Sequence, residues 1–272
     1  MQKIGICTWF SYNEIPIAER LQLIKDAKFD ATCLWWDYED RQQQPEMARK
    51  IGLHIDNVHA PFRDVKASSI WEDGVDGDDY QNQLITCVND CAVHEIPTVV
   101  IHLTSTPPYP PVTDLGLRRI SKIVAVAEQK NVKLAFENLW SPAHLDAVMR
   151  NFVSPNVGLC YDSGHENLNR PSDVLAAYGD RLFAVHINDN FNDTYLPDGS
   201  INWSSDAHVL PFDGTIDWGE KMRKLQICKS VDCFTLEVDF NRNHERAAIY
   251  HGLPAQQYLA LAYERAAKLL KL

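Results

Sequence analysis

Six short β-rich segments of the sequence end in a histidine or a carboxylate directly behind apolar residues. These six residues are His59, His102, Glu137, Asp162, His186 and Glu237. If the six side chains meet on one face, the carboxylates repel one another unless they are protonated or neutralised by a cation. Imidazole and carboxylate together suit Zn, Mn, Co or Fe(II). The pattern therefore predicts a divalent-metal site.

A second set of metal-ligand types stands near the first in the sequence. His165 follows Asp162 by three residues, and Asp206-Ala207-His208 lies in a long insert, before the Gly-containing stretch from Pro211 to Trp218. An Asp-x-His pair can supply two ligands from one loop, although surface loops often hold such residues without a metal. Beside the six strand-end residues, the pair indicates a fuller metal cluster.

These side chains can meet only if the chain brings the ends of its strands to one rim. We predict eight strands, near Lys3–Trp9, Ala31–Trp36, Ile55–His59, Thr98–Leu103, Lys133–Asn138, Val157–Asp162, Leu182–Asn188 and Phe234–Asp239. We predict eight helices that alternate with them, at Ile15–Ala27, Pro45–Ile51, Tyr80–His94, Asp114–Lys130, Pro142–Arg150, Ser172–Tyr178, Trp218–Gln226 and Pro254–Leu270. Strict alternation of this kind favours a closed (β/α)₈ TIM barrel, whose active sites lie at the carboxyl ends of the strands.

The alternative architecture is an open, doubly wound sheet. No Gly-x-Gly-x-x-Gly turn follows any predicted strand, which disfavours that fold, and we expect no nucleotide cofactor. No linker or low-complexity stretch divides the chain, so we expect one domain over residues 1–272. The apolar C-terminal helix could seal the barrel or join a subunit contact, and a homo-oligomer therefore stays open.

Composition narrows the class of protein. Of the 272 residues, 45% are hydrophobic, and 26 Lys and Arg against 37 Asp and Glu give a formal charge of −11. No apolar run approaches the roughly 18 residues that a membrane helix needs. The N-terminal residues do not form a secretory signal, and seven scattered cysteines do not resemble a disulfide framework. We therefore expect a cytoplasmic protein that does not enter a membrane.

The two long inserts that follow strands are acidic. Phe62–Asp79 contains two basic residues, Arg63 and Lys66, against six acids, and Asn190–Asp217 contains five acids and no Lys or Arg. In a barrel both inserts sit over the mouth, where binding a nucleic-acid duplex would require several Lys or Arg contacts to phosphates. The charges therefore weigh against a nucleic-acid partner.

Several motifs resemble those of the xylose isomerase-like TIM barrel superfamily, which contains sugar isomerases and epimerases and endonuclease IV. They are Phe136-Glu137-Asn138, Asp162-Ser163-Gly164-His165, His186-Ile187-Asn188-Asp189, Asp206-Ala207-His208 and Leu236-Glu237-Val238. The resemblance runs from the first strand to the eighth. Similarity to the sugar epimerases implies that one divalent metal (Zn, Mn or Co) is held by Glu137, Asp162, His186 and Glu237. Similarity to endonuclease IV implies a three-zinc cluster that adds His59, His102, His165, Asp206 and His208.

The resemblance leaves more than one function open. The first is a metal-dependent isomerase or epimerase of a sugar, sugar phosphate or polyol, in which Glu137 and Glu237 are the acid–base pair and the metal stabilises an enediolate-like charge. Its expected substrate contacts are His165, Trp9, Trp35, Trp140 and Arg242. The second is a zinc-dependent endonuclease that hydrolyses phosphodiesters at abasic sites. The third is a metal-binding barrel without catalysis. The acidic inserts favour the first reading and an uncharged polyol.

Overall fold

Eight parallel strands close into one barrel in the order in which they occur in the chain. The computed structural model describes residues 2–10, 14–62, 67–105, 107–169, 173–240 and 245–272. The strands are β1 Lys3–Cys7, β2 Ala31–Trp35, β3 His54–His59, β4 Thr98–Ile101, β5 Lys133–Glu137, β6 Val157–Asp162, β7 Leu182–Ile187 and β8 Cys233–Leu236. The first strand pairs with both β2 and β8, which closes the ring. The predicted TIM barrel is confirmed.

Nine α-helices lie within the described ranges, one more than the sequence predicts. They are α1 Ile17–Asp26, α2 Gln44–Lys50, α3 Val75–Val93, α4 Asp114–Lys130, α5 Pro142–Asn151, α6 Ser163–Leu168, α7 Val174–Tyr178, α8 Trp218–Gln226 and α9 Ala255–Leu269. Short 3₁₀ helices occupy Ala67–Trp71, Gly179–Arg181 and Glu245–Tyr250. The additional helix is α6, which begins directly after β6 and is buried along its whole length. Its N-cap is Asp162, whose side chain accepts a hydrogen bond from the backbone N–H of His165, a local signal that the apolar pattern does not carry.

The strand period places the site. Successive side chains of a strand point to opposite faces, so residues two apart share a face. Val100, Ala135, Cys160 and Ala184 form a separate cluster of buried residues. Each of these four stands two positions before a candidate ligand: His102, Glu137, Asp162 and His186. Small residues therefore fill the barrel one layer below the mouth, and the ligands form the next layer.

The C-terminal helix α9 packs on the outside of the barrel, against α1 and β1. Tyr258, Leu259 and Ala262 on this helix are fully buried, and the Tyr263 ring meets the Phe29 ring edge-on with centroids 5.4 Å apart. The apolar stripe predicted for this segment is thus used within the chain. Among the helices of the described residues, none is both long enough and apolar enough to cross a membrane.

The insert between β3 and α3 is anchored to α4 by the buried guanidinium group of Arg119. Arg119 on α4 is 2% exposed and forms an ion pair with Asp78 at 3.0 Å. The same guanidinium donates hydrogen bonds to the carbonyl oxygens of Ser69, Ile70, Glu72 and Gly74. Because the insert leads away from His59, this contact fixes the far end of a loop that begins at a candidate ligand.

We expect Arg119→Ala to lower the free energy of unfolding by about 3 kcal/mol, because it leaves several carbonyl oxygens without their donor. Urea denaturation measures the loss. Arg118→Ala is the matched control, since Arg118 is the neighbouring arginine on the same helix and is exposed. Equal, small effects of the two substitutions would contradict this role for Arg119.

Candidate metal centre

The mouth of the barrel gathers all nine predicted ligand side chains into three groups. The first group is His59, His102 and Glu137; the second group is Glu137, Asp162, His186 and Glu237; the third group is His165, Asp206 and His208. Within each group, one ligand atom from every residue lies within 4.8 Å of the others. Glu137 belongs to two groups, so the first and second groups adjoin each other.

The first group is built around one oxygen of Glu137. The Oε2 atom lies 3.5 Å from Nε2 of His59 and 3.1 Å from Nε2 of His102. The other ring nitrogen of His59, Nδ1, donates to the carbonyl oxygen of Ala60 at 2.8 Å, which fixes the tautomer and aims the Nε2 lone pair into the mouth. Metal-binding histidines are commonly oriented by a bond of this kind.

The second group joins the ends of β5, β6, β7 and β8. Nδ1 of His186 lies 2.8 Å from Oε2 of Glu237 and 3.6 Å from Oε2 of Glu137. The two oxygens of Asp162 each accept one hydrogen bond at 2.6 Å, from the His165 backbone N–H and from the Asn188 side chain. Each oxygen keeps a further lone pair for a metal ion.

Two asparagines hold Asp162 in place, and the sequence alone assigned them no role. Asn138 accepts from the backbone N–H of Asp162 at 2.7 Å and donates to its carbonyl oxygen at 2.9 Å. Asn188 donates to the carboxylate from the neighbouring strand. The available signal was position, because Asn188 follows His186 by two residues and so shares its side of the strand.

The third group is carried by α6 and by the insert after β7. Nε2 of His208 lies 3.0 Å from Oδ2 of Asp206, and Nε2 of His165 lies 3.7 Å from the same oxygen. Nδ1 of His208 donates to the carbonyl oxygen of Glu237 at 2.7 Å, so its tautomer is also fixed. His165 reaches the second group as well, with Nδ1 3.2 Å from Oε1 of Glu137.

Many candidate ligand atoms of these groups make no hydrogen bond of suitable geometry within the described residues, although several lie within ion-pair distance of one another. They are Nε2 of His59, Oε1 of Glu137, Nδ1 of His165, both ring nitrogens of His186, Oδ1 of Asp206 and Oε2 of Glu237. Buried polar atoms without partners cost free energy, and they are rare in folded proteins. A divalent cation would satisfy these lone pairs together, and the mixture of imidazole nitrogen and carboxylate oxygen suits Zn, Mn or Co. The residues present therefore fit the predicted metal.

Charge balance shapes the acidities in the mouth. Burial would raise the pKa of the Glu237 carboxyl, but the positive charge of His186 holds it at about 2. Burial also acts on His165 and His186 by disfavouring their charged forms, yet neighbouring acidic groups keep the pKa of each imidazole well above its ordinary value. Burial raises the pKa of Asp162 to about 7. The cluster thus carries negative charge that needs a nearby positive charge, whether imidazolium or a metal ion.

An aromatic wall surrounds the first group. Trp35 stacks on the His59 ring with centroids 5.8 Å apart, and Trp9 meets the same ring edge-on at 5.7 Å. Phe62, which was not among the predicted site residues, packs against His102 at 4.3 Å. Trp9 and Trp35 are 6% and 4% exposed, so they back the imidazole more than they face the mouth.

The remaining predicted substrate contacts are Trp140 and Arg242. Trp140 follows β5 and is partly exposed. Arg242 lies outside the described residues, as do the two basic residues of the first insert, Arg63 and Lys66.

Two relatives match parts of the chain. An uncharacterised protein from Sinorhizobium fredii is 38% identical over 109 residues, which cover 37% of this chain and 32% of that protein. An uncharacterised protein from Methanocaldococcus jannaschii is 25% identical over 236 residues, which cover 78% of this chain and 72% of that protein. The first match therefore spans about a third of the relative's length.

Solved structures share the fold over nearly the whole chain. The IolI protein with a bound zinc atom superimposes with a TM-score of 0.76 at 17% identity, covering 99% of this chain and 98% of that chain. L-Ribulose 3-epimerase superimposes with a TM-score of 0.75 at 16% identity, covering 100% of this chain and 95% of that chain. Identities this low establish a common architecture and nothing about substrates.

Membership of a family follows from the sequence match. The family described as xylose isomerase-like TIM barrel matches residues 21–254, which include all nine ligand candidates. This range is most of the 272 residues and reaches from the first helix to the start of the last. The chain therefore belongs to the family of xylose isomerase-like TIM barrels.

Proposed function

We propose that this protein is a divalent-metal-dependent isomerase or epimerase that transfers a proton on a small sugar or polyol. The observation that carries the proposal is the second group, in which four buried residues bring their ligand atoms within 4.8 Å of one another. A divalent ion held there would act as a Lewis acid on negative charge that develops at a substrate oxygen. The fold that the chain shares with L-ribulose 3-epimerase supports this reaction class by analogy, and the zinc atom bound to IolI supports a metal in this fold.

Glu137 and Glu237 are the proposed acid–base pair. Glu137 ends β5 and Glu237 follows β8, so β6 and β7 separate the two carboxylates around the ring. Neighbouring imidazoles hold the pKa of each carboxyl below its ordinary value, against the effect of burial, so both are ionised and able to accept a proton at neutral pH. One carboxylate would accept the proton from a substrate carbon, and the other, after taking up a proton from solvent, would donate that proton to the opposite face of the same carbon.

The substrate contacts are proposed on position. His165 lies beside Oε1 of Glu137 and can donate to a substrate hydroxyl. Trp140 is partly exposed and offers apolar ring surface, which suits the C–H face of a sugar. Trp35 and Trp9 are buried behind His59 and offer little ring surface to a substrate. The second insert, Asn190–Asp217, has five acids and no Lys or Arg, which supports an uncharged substrate.

We expect Glu137→Gln and Glu237→Gln each to slow exchange of the carbon-bound proton by about 10²- to 10⁴-fold, because glutamine retains a ligand oxygen but cannot accept the proton. Proton NMR in D₂O with zinc- or manganese-loaded protein measures the exchange on a panel of free ketoses that includes L-ribulose. Glu46→Gln is the matched control on an exposed helix residue. Full exchange in either site variant would refute the acid–base assignment.

Metal binding itself can be tested without a substrate. We expect zinc to raise the melting temperature of the chelator-treated protein, since free zinc at 100 times its dissociation constant adds about 2.7 kcal/mol of stability. Magnesium should stabilise less, because it prefers all-oxygen sites. Asp206→Asn should reduce the zinc effect without abolishing it. An unchanged melting temperature in zinc would contradict the metal centre.

A second candidate function is a zinc-dependent phosphodiesterase that cuts DNA at abasic sites. It is favoured by one observation, that the third group lies beside the other two and completes three ligand sets. Paired ions can stabilise both the attacking and the leaving oxygen of a phosphate displacement. The acidic insert opposes it, because a polyanion would be repelled from a rim with this charge.

The third group discriminates between the two candidates. If proton transfer at the second group is the activity, we expect His208→Asn to leave exchange of the carbon-bound proton within about tenfold of wild type. If the protein is a phosphodiesterase, the same variant should lose cleavage of a duplex that contains one abasic site. Glu137→Gln serves as the inactive control in both assays. Cleavage by the wild-type protein that both variants lack would reverse the order of the two proposals.

A further inference from the structure

A buried carboxylate outside the three groups organises the loop that follows the third group's ligands. Asp189 is the second residue after the end of β7 and is fully buried. Its Oδ1 atom accepts from the backbone N–H groups of Asn190 at 2.9 Å and Ile216 at 3.1 Å. Its Oδ2 atom accepts from the backbone N–H of Phe212 at 3.2 Å and from the Trp218 indole at 2.9 Å. One side chain therefore holds both ends of the stretch from Phe212 to Trp218.

The backbone of Asp189 also pairs with that of Val209, the residue that follows the candidate ligand His208. Its N–H donates to the carbonyl oxygen of Val209 at 2.9 Å, and its carbonyl oxygen accepts from the N–H of Val209 at 3.0 Å. The preceding residue, His208, has a φ of 43°, in the left-handed region that is costly for residues other than glycine. Such a conformation persists only where surrounding contacts enforce it. The pairing of Asp189 with Val209 is one of these contacts, and the hydrogen bond from the Asp239 N–H to the His208 carbonyl oxygen at 3.0 Å is another.

The approach of this loop to Asp189 leaves no room for a side chain at one position. A Cβ atom added to Gly214 would lie 2.1 Å from Oδ1 of Asp189 and 2.4 Å from the carbonyl oxygen of Asn190. Gly214 is thus the residue that lets the loop close on the carboxylate. The sequence indicates a Gly-containing stretch here but does not indicate that it packs on Asp189.

We propose that Asp189 is the positioning residue of the third group: by closing the loop it sets Asp206 and His208 opposite His165 so that the three can hold an ion. This role rests on the metal dependence in the proposed function, applies to either candidate reaction, and requires that the third group hold an ion in addition to the ion at the second group. Asp189 itself touches no ligand atom of the third group, so its effect is exerted through the backbone of the loop.

Metal content tests the role directly. In Asp189→Asn, whichever way the amide is turned, two of the four donors face an NH₂ group instead of an acceptor. After zinc loading and removal of free metal, elemental analysis should find one zinc ion fewer per chain than in wild type, the same deficit as in Asp206→Asn. Asp217→Asn is the matched control, because Asp217 is exposed on the same loop and its cap on the Glu220 N–H tolerates asparagine.

A second pair of variants keeps the test decisive if Asp189→Asn does not fold. Gly214→Ala should give the same deficit of one ion, since its methyl group displaces the carboxylate. Gly219→Ala is its control, because a Cβ there would meet nothing closer than 3.3 Å. Far-UV circular dichroism of the metal-free proteins establishes that each variant is folded.

Three outcomes overturn the proposal: Asp189→Asn and Gly214→Ala keep the wild-type zinc count, they lose every ion, or the wild-type protein itself retains a single ion. Failure of the proposed function gives a different result. In that case the zinc counts follow the expected pattern, while the wild-type protein exchanges no carbon-bound proton and cleaves no abasic-site duplex.

Discussion

The mouth of the barrel must accommodate buried negative charge, and the surrounding structure is arranged to meet that constraint. Glu137, Asp162 and Glu237 are at most 5% exposed, and such carboxylates are tolerated only where positive charge or hydrogen-bond donors compensate them. Imidazoles supply part of the compensation, and the unsatisfied lone pairs that remain are suited to a divalent cation. The imidazoles of the three groups and the donor groups beside Asp162 meet part of this need.

Space for the carboxylates and imidazoles at the mouth depends on the residues that fill the layer below them. Val100, Ala135, Cys160 and Ala184 fill the layer below the site, and a larger side chain in any of these positions would push into the space that the ligands use. Bulky aromatic rings are kept to the opposite half of the interior, where Trp9 and Trp35 back the His59 imidazole. The site is therefore packed from below and from one side.

Three of the nine candidate ligands are oriented by hydrogen bonds to backbone carbonyl oxygens or to asparagine side chains. His59 and His208 are fixed by backbone carbonyl oxygens, and Asp162 is fixed by Asn138 and Asn188. Such outer contacts set which ring nitrogen or which lone pair faces the ion, and metal affinity depends on them nearly as much as on the ligands. The roles of Asn138 and Asn188 were not predicted from the sequence, because an asparagine beside a strand end belongs to no recognisable pattern. Its partner is known only when the fold places the neighbouring strand beside it. The helix α6 was not predicted because its start is marked by the Asp162 side-chain cap and not by a periodic apolar pattern.

The residues alone determined the alternation of strands and helices, and hence the closed barrel and the rim to which each strand delivers its last side chain. They also supplied the nine candidate ligands, since residue type and place in a strand are local properties. The division into three groups, the sharing of Glu137 and the choice of nitrogen on each imidazole were decided by the tertiary structure. Distances across the mouth depend on the register of all eight strands and on where the insert after β7 places Asp206 and His208. No local sequence pattern encodes these long-range relations.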